Sequence, residues 1–252
     1  MRELRKYIAL IANLCNIHIL RMTLTLAKFK NESLIIIKSS YSKNMSQKFP
    51  VLPEQVPQRG SNTSRSLFKN LYLAQGWSFI GEFPNLPKAV VFIAPHTSNF
   101  DGLYAFLAML GIGLKITIFG KDSLFKTPLK GLFEWMGVIP VERDSPHGLT
   151  QEIVEIINQQ EKIWIAIAPE GTRKKAEKIK SGFYHIAMGA NIPIAIFSFD
   201  YDHKTIHCLG ILEPTGNYEK DLDDILNRFK GKFSPKKPSW LSVPLQKLLK
   251  NG

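Results

Sequence analysis

Apolar strands alternate with amphipathic helices from residue 66 to residue 229, and this alternation restricts the fold more than any other feature of the sequence. Runs such as residues 89–94 and residues 163–168 contain only apolar side chains, as expected of strands that are buried on both faces. Strands and helices in this order form βαβ units, so we predict an α/β fold with a mostly parallel central sheet and helices on both faces. The predicted strands are 77–82, 89–94, 115–119, 138–142, 163–168, 193–199 and 205–212, and the predicted helices are 66–75, 100–110, 128–136, 149–160, 183–190 and 218–229.

The predicted α/β domain, residues 66–230, is flanked by two basic segments. Residues 1–65 form a basic N-terminal extension that ends in a Pro- and Ser-rich linker, and residues 231–252 form a basic C-terminal tail. Residues 1–44 have two interpretations. In the first, they form a short segment that lies on a membrane, because their apolar run is too short to span one. In the second, they are an upstream extension that is not translated, because Met45 begins an ordinary cytosolic sequence.

The net charge of +12 is concentrated at the two ends of the chain. Residues 1–50 hold nine Lys or Arg against two Asp or Glu, and residues 228–252 hold seven basic residues and no acidic one, whereas the remaining body holds 17 basic and 19 acidic residues. A nucleic-acid-binding protein usually carries its positive charge on the folded body, so the distribution argues against that class. Basic ends are consistent either with attraction to an anionic membrane surface or with solvated tails. The apolar residues near the C-terminus either enter the headgroup region of a membrane or pack back on the body.

Titratable side chains follow several of the predicted strands, at the sheet edge where parallel strands end. His96 follows the strand at 89–94, and Asp101 lies five residues later, across the turn into a helix. A hydroxyl nucleophile needs a base that titrates near neutrality, which suits a histidine, and a carboxylate can hold the imidazole in one tautomer. The short spacing allows Asp101 to fold back beside His96.

A second loop, residues 169–173 with the sequence Pro-Glu-Gly-Thr-Arg, follows the buried strand at 163–168. Gly171 allows a ligand to approach the backbone closely, and Arg173 can bind a phosphate through two parallel hydrogen bonds. Together with His96 and Asp101, this loop resembles the glycerolipid acyltransferase superfamily, typified by the 1-acylglycerol-3-phosphate acyltransferases. Over about residues 70–215, the four motif blocks of that superfamily have counterparts in the correct order at 96–101, 137–143, 169–173 and 192–196.

The resemblance implies an O-acyltransferase in which His96 deprotonates the acceptor hydroxyl and Asp101 orients His96. The hydroxyl then attacks an acyl thioester directly, so neither a covalent acyl-enzyme nor a cofactor or metal is expected. The implied acceptor site comprises Arg143, Glu170, Gly171, Thr172 and Arg173, and Lys121 and Lys180 are further candidates for binding a phosphate.

The expected partners are acyl-CoA or acyl carrier protein as donor, a lysophospholipid as acceptor, and an anionic membrane surface. The expected acceptor is 1-acylglycerol-3-phosphate, and the expected location is peripheral, at the cytoplasmic face of the membrane. Three alternatives stay open: transfer to another lipid acceptor, an acyl thioesterase that uses water, and a membrane-associated protein that keeps the fold without activity. His203 and His207 are four residues apart, but a predicted strand begins between them, so we do not expect them to bind a metal together.

Overall fold

The computed structural model describes residues 49–122, 125–128, 130–141, 148–171 and 175–250. The two interpretations of residues 1–44 therefore concern residues outside the described ranges. In the described ranges, no helix is both long enough and apolar enough to cross a membrane.

The seven strands and the first six helices occur as the sequence predicts, with ends that differ from the predicted ones by at most four residues, whereas the helix in the C-terminal segment was not predicted. The strands are β1 (Ser78–Ile80), β2 (Lys88–Ala94), β3 (Ile116–Lys121), β4 (Val138–Val141), β5 (Ile163–Ile167), β6 (Ile194–Asp200) and β7 (Thr205–Leu212). The helices are α1 (Asn62–Ala74), α2 (Asn99–Ile112), α3 (Lys130–Met136), α4 (Leu149–Asn158), α5 (Gly182–Ala190), α6 (Tyr218–Phe229) and α7 (Val243–Lys250).

The strands form one seven-stranded sheet in the order β1-β7-β6-β2-β5-β3-β4. Five of the six strand pairs are parallel, which confirms the predicted mostly parallel α/β fold. The exception is β6 and β7, which pair antiparallel. The carboxyl ends of β2, β3, β4, β5 and β6 therefore meet at one edge of the sheet, and His96 and Glu170 directly follow two of these strands.

Side chains of β2 alternate between two hydrophobic cores, one on each face of the sheet. Val90 and Phe92 belong to a core that also contains side chains of α4, α5 and α6. Ala89 and Val91 belong to a second core that contains side chains of α1 and α2. Helices therefore cover both faces, as predicted for a parallel sheet whose strands are almost wholly apolar.

The C-terminal segment, residues 231–250, packs against the sheet rather than extending into solvent as a tail. Phe233, Leu241 and Leu245 join the first core, and Leu241 and Leu245 are 1% and 0% exposed. Helix α7 places Leu245 toward the core and leaves Leu249 48% exposed. Of the apolar residues near the C-terminus, Leu241 and Leu245 therefore pack on the body, whereas Leu249 stays largely exposed.

Candidate active site

The turn from β2 into α2 brings His96 and Asp101 together. His96 Nδ1 lies 3.5 Å from Asp101 Oδ2, slightly beyond hydrogen-bond length. The His96 side chain is 19% exposed, whereas Asp101 is fully buried. Because Nδ1 faces the carboxylate, Nε2 is the ring nitrogen left for a substrate, and contacts of this kind often shorten when substrate binds.

Local helix capping explains why Asp101 folds back toward His96. Ser98 is the N-cap of α2, and its Oγ accepts a hydrogen bond from the backbone N–H of Phe100. Asp101 occupies the third helical position and accepts the Ser98 N–H with Oδ2 at 2.8 Å, which completes a reciprocal capping box. The carboxylate also lies in the first turn of α2, where the helix dipole favours negative charge.

Two further donors satisfy the buried Asp101 carboxylate. The backbone N–H of Thr97 donates to Oδ2 at 2.7 Å, and the hydroxyl of Tyr201 donates to Oδ1 through a short hydrogen bond. A buried carboxylate is costly unless donors surround it, and here three donors supply that compensation. Asp101 is therefore fixed in position and retains an acceptor oxygen toward His96.

Glu170, in the loop after β5, supports His96 from the other side. Its Oε2 accepts the backbone N–H of His96 at 2.6 Å, and its side chain is 1% exposed. Burial raises the pKa of the Glu170 carboxyl, and the His96 N–H and the nearby Ser242 hydroxyl lower it in part. Glu170 Oε1 and Ser242 Oγ are both buried without a hydrogen bond of normal geometry to any described residue. Glu170 thus ties the β5 loop to the β2 loop through the backbone of the histidine.

Gly171 and Lys180 lie in contact next to this loop. Gly171 has a φ of +64°, and a Cβ added to it would lie 2.6 Å from Lys180 Nζ and 2.7 Å from Lys180 Cε. The backbone N–H of Lys180 donates to Pro169 O at 2.9 Å. The glycine therefore provides the space in which the Lys180 side chain crosses the loop, and these two predicted residues are neighbours in the structure.

The other predicted residues are placed only in part. Lys121 is the last residue of β3, at the carboxyl edge of the sheet, and it pairs with Val141 of β4. Arg143, Thr172 and Arg173 lie outside the described residues. Their proposed roles stay predictions.

The sequence prediction missed the residues that β6 and the C-terminal segment bring to this edge. Tyr201 directly follows β6, and that position alone could have indicated it, because the other strand ends at this edge carry site residues. Lys236 Nζ lies 5.5 Å from the centroid of the Tyr201 ring, and the Lys237 N–H donates to Thr97 Oγ1 at 3.2 Å. No local signal points to the C-terminal residues, since they lie more than a hundred positions from His96.

His203 and His207 both lie next to the carboxylate of Asp200. His203 Nδ1 is 2.7 Å and His207 Nε2 is 3.6 Å from the same oxygen, Asp200 Oδ2. In the part of the chain that the structure describes, no group of three or more His, Cys, Asp or Glu side chains is arranged to hold a metal ion.

The arrangement provides a histidine that can take a proton, a fixed carboxylate beside it, and a glycine-containing loop with a lysine across it. Comparison with known families matches residues 80–199 to the family described as Acyltransferase. Residues 80–199 are an acyltransferase domain. This match agrees with the resemblance of the motif blocks to the glycerolipid acyltransferase superfamily, and the matched residues include His96, Asp101 and Glu170.

Among solved structures, the chain is similar to PlsC, the 1-acyl-sn-glycerophosphate (LPA) acyltransferase from Thermotoga maritima. The two chains are 16% identical, the match covers 66% of this chain and 76% of that chain, and the TM-score is 0.46. Comparison with the curated proteins gives no match.

Proposed function

We propose that this acyltransferase moves a fatty acyl group from an acyl thioester to a hydroxyl of a lysophospholipid, with 1-acylglycerol-3-phosphate as the acceptor. The observation that carries the proposal is the His96–Asp101 pair within an acyltransferase domain. The pair lies at the carboxyl edge of a parallel sheet, which is where open α/β sheets bind their ligands.

In the proposed reaction, His96 Nε2 takes the proton of the acceptor hydroxyl as its oxygen attacks the thioester carbonyl carbon. The new ester C–O bond forms and the C–S bond breaks, and the leaving thiolate takes the proton from His96. Asp101 holds the ring so that Nε2 faces the hydroxyl and stabilises the imidazolium formed in between. Its buried carboxylate is already compensated by three donors, so no large rearrangement is needed when the charge appears on the ring.

The loop of Glu170 and Gly171 is the proposed acceptor side of the site. Glu170 fixes the His96 backbone, and Lys180, an exposed residue, crosses Gly171 with its side chain. Arg143, Thr172, Arg173 and Lys121 complete the proposed acceptor site. Cations in this arrangement suit an acceptor that carries a phosphate.

The proposed donors, acyl-CoA and acyl carrier protein, are both anionic and would be attracted by the same cations. The proposed chemistry uses no cofactor, because the acceptor hydroxyl attacks the thioester itself.

We further propose that the protein works as a peripheral protein at the cytoplasmic face of a membrane. The support is the excess of basic residues at both ends of the chain, including Lys247 and Lys250 in the last turn of α7. Full-length protein should co-sediment with anionic vesicles more than with neutral ones, and binding should weaken as salt rises, because the Debye length falls from about 10 Å at 0.1 M to about 3 Å at 1 M. Equal sedimentation with neutral vesicles at all salt concentrations would contradict electrostatic attachment.

A labelled acyl-CoA assay with a panel of lysolipids tests the proposed reaction, with products identified by mass. We expect phosphatidic acid from 1-acylglycerol-3-phosphate, and a loss of about 10²–10⁴-fold in His96→Ala, since a general base contributes about that much. His185→Ala is the matched control, because His185 is an exposed histidine of α5. Free fatty acid without acylated lipid would indicate a thioesterase, and near-normal turnover in His96→Ala would refute the mechanism.

A further inference from the structure

We infer that Tyr201 is a positioning residue of the active site, which holds Asp101 in the orientation that serves His96. The inference rests on the proposed role of the His96–Asp101 pair. It adds a third side chain to that pair, from a strand end about a hundred residues away in the sequence.

The geometry divides the Asp101 carboxylate between two tasks. Oδ2 accepts the backbone N–H groups of Thr97 and Ser98 and faces His96 Nδ1, whereas Oδ1 accepts the Tyr201 hydroxyl. Without Tyr201, no other described residue donates to Oδ1, and the buried oxygen would be left unsatisfied. A carboxylate in that state gains from rotating or shifting toward another donor, which would move Oδ2 away from the imidazole.

The Tyr201 ring is itself fixed by an aromatic cluster. Trp77 meets it edge to face at a centroid distance of 5.1 Å, Tyr104 at 6.2 Å, and Phe199 lies at 6.3 Å. These contacts hold the hydroxyl in place, so the donor is already oriented before substrate binds. Preorganised donors of this kind spend no reorganisation energy during the reaction.

The phenol stays protonated and remains a donor at all pH values at which the enzyme would work. Burial raises the pKa of Tyr201, and the negative charge of Asp101 raises it further. Among the described residues, the other titratable groups that face the Tyr201–Asp101 pair are His96, Glu170, Lys236, Tyr104 and Tyr72.

The test is Tyr201→Phe in the full-length protein, which removes one oxygen and keeps the ring. We expect kcat to fall about tenfold or more, since a hydrogen bond to a charged group is worth about that factor, while the KM values of donor and acceptor stay unchanged. The matched control is Tyr104→Phe, because the Tyr104 ring lies in the same cluster and its hydroxyl makes no hydrogen bond with a described residue. Wild-type kcat in Tyr201→Phe would overturn the inference.

A double-mutant cycle separates positioning from general destabilisation. If Tyr201 acts through Asp101, then adding Tyr201→Phe to Asp101→Asn should lower kcat by less than about twofold, because the contact between the Asp101 carboxylate and His96 is already lost. A loss of the same size in both backgrounds would overturn the inference and assign Tyr201 a separate role.

A measurement without substrate keeps the inference distinguishable from the proposed reaction. In crystals of substrate-free Tyr201→Phe, the Asp101 carboxylate should shift away from the imidazole, so that the distance between His96 Nδ1 and Asp101 Oδ2 grows beyond 3.5 Å. This shift is expected even if the acceptor is not 1-acylglycerol-3-phosphate. An unchanged distance between these two atoms, measured against a crystal structure of the wild-type protein, would overturn the inference whatever the substrate is.

Discussion

Replacing Leu245 by alanine tests whether the basic C-terminal segment belongs to the folded domain. Leu245 lies in α7, is 0% exposed and packs in the core that contains Phe229, Phe233 and Leu241. Removing a fully buried leucine side chain typically costs about 2–5 kcal/mol of the free energy of unfolding, through lost transfer energy and the remaining cavity. For a domain of this size, about 3 kcal/mol corresponds to a fall in Tm of about 6–12 °C.

Leu249→Ala is the matched control, because Leu249 lies one turn later in the same helix and is 48% exposed. We expect it to change the free energy of unfolding by no more than about 0.5 kcal/mol. Urea unfolding followed by circular dichroism measures both variants, and a lower midpoint at an unchanged m-value indicates lost stability alone. Equal, small effects of the two substitutions would refute the packing of α7 and would favour the interpretation of residues 231–252 as a solvated tail.

Two further predictions concern the acceptor side and the pH dependence of stability. Arg173→Ala should raise the apparent KM for 1-acylglycerol-3-phosphate more than that for acyl-CoA in steady-state assays. The control is Lys175→Ala, which removes an exposed cation of the same loop and should leave both KM values unchanged. A change in the donor KM alone would assign Arg173 to the donor side. Burial alone would raise the pKa of Asp221, but hydrogen bonds from Thr215 and Tyr184 leave it lowered. The ionised Asp221 carboxylate therefore stabilises the folded state above the ordinary Asp range, about pH 4. This stabilisation is lost as the pH falls through the lowered pKa of Asp221. Asp221→Asn should flatten the loss of the free energy of unfolding below about pH 4, measured by urea unfolding at stepped pH, and an unchanged acid dependence would contradict this assignment.

Helix capping and hydrophobic periodicity act over a few residues, so the sequence predicted the features that depend on them. The strands that carry the site appear as short apolar runs, and the helices between them are recognisable from their spacing. His96 and Asp101 are five residues apart across a capped helix start, and their approach follows from local geometry. Glu170 was identified because its loop, which follows a buried strand, resembles a motif block of the superfamily.

The antiparallel pairing of β6 and β7 is a feature that the sequence contained but that the prediction did not use. Only residues 201–204 separate the two strands. A parallel pair needs a crossover connection of about a dozen residues or more, so this short loop permits only an antiparallel pair.

Tertiary structure alone decided which distant residues complete the site. Tyr201 reaches Asp101 because β6 lies beside β2 in the sheet, and this strand order follows from the packing of the whole domain. The C-terminal segment is rich in lysine, as solvated tails are, yet Leu241 and Leu245 fill the core, and the Lys237 N–H donates to Thr97 of the His96 loop. Composition shows which side chains are apolar and which are charged. The free energy gained by burying the apolar ones, however, depends on a surface that exists only once the sheet has formed.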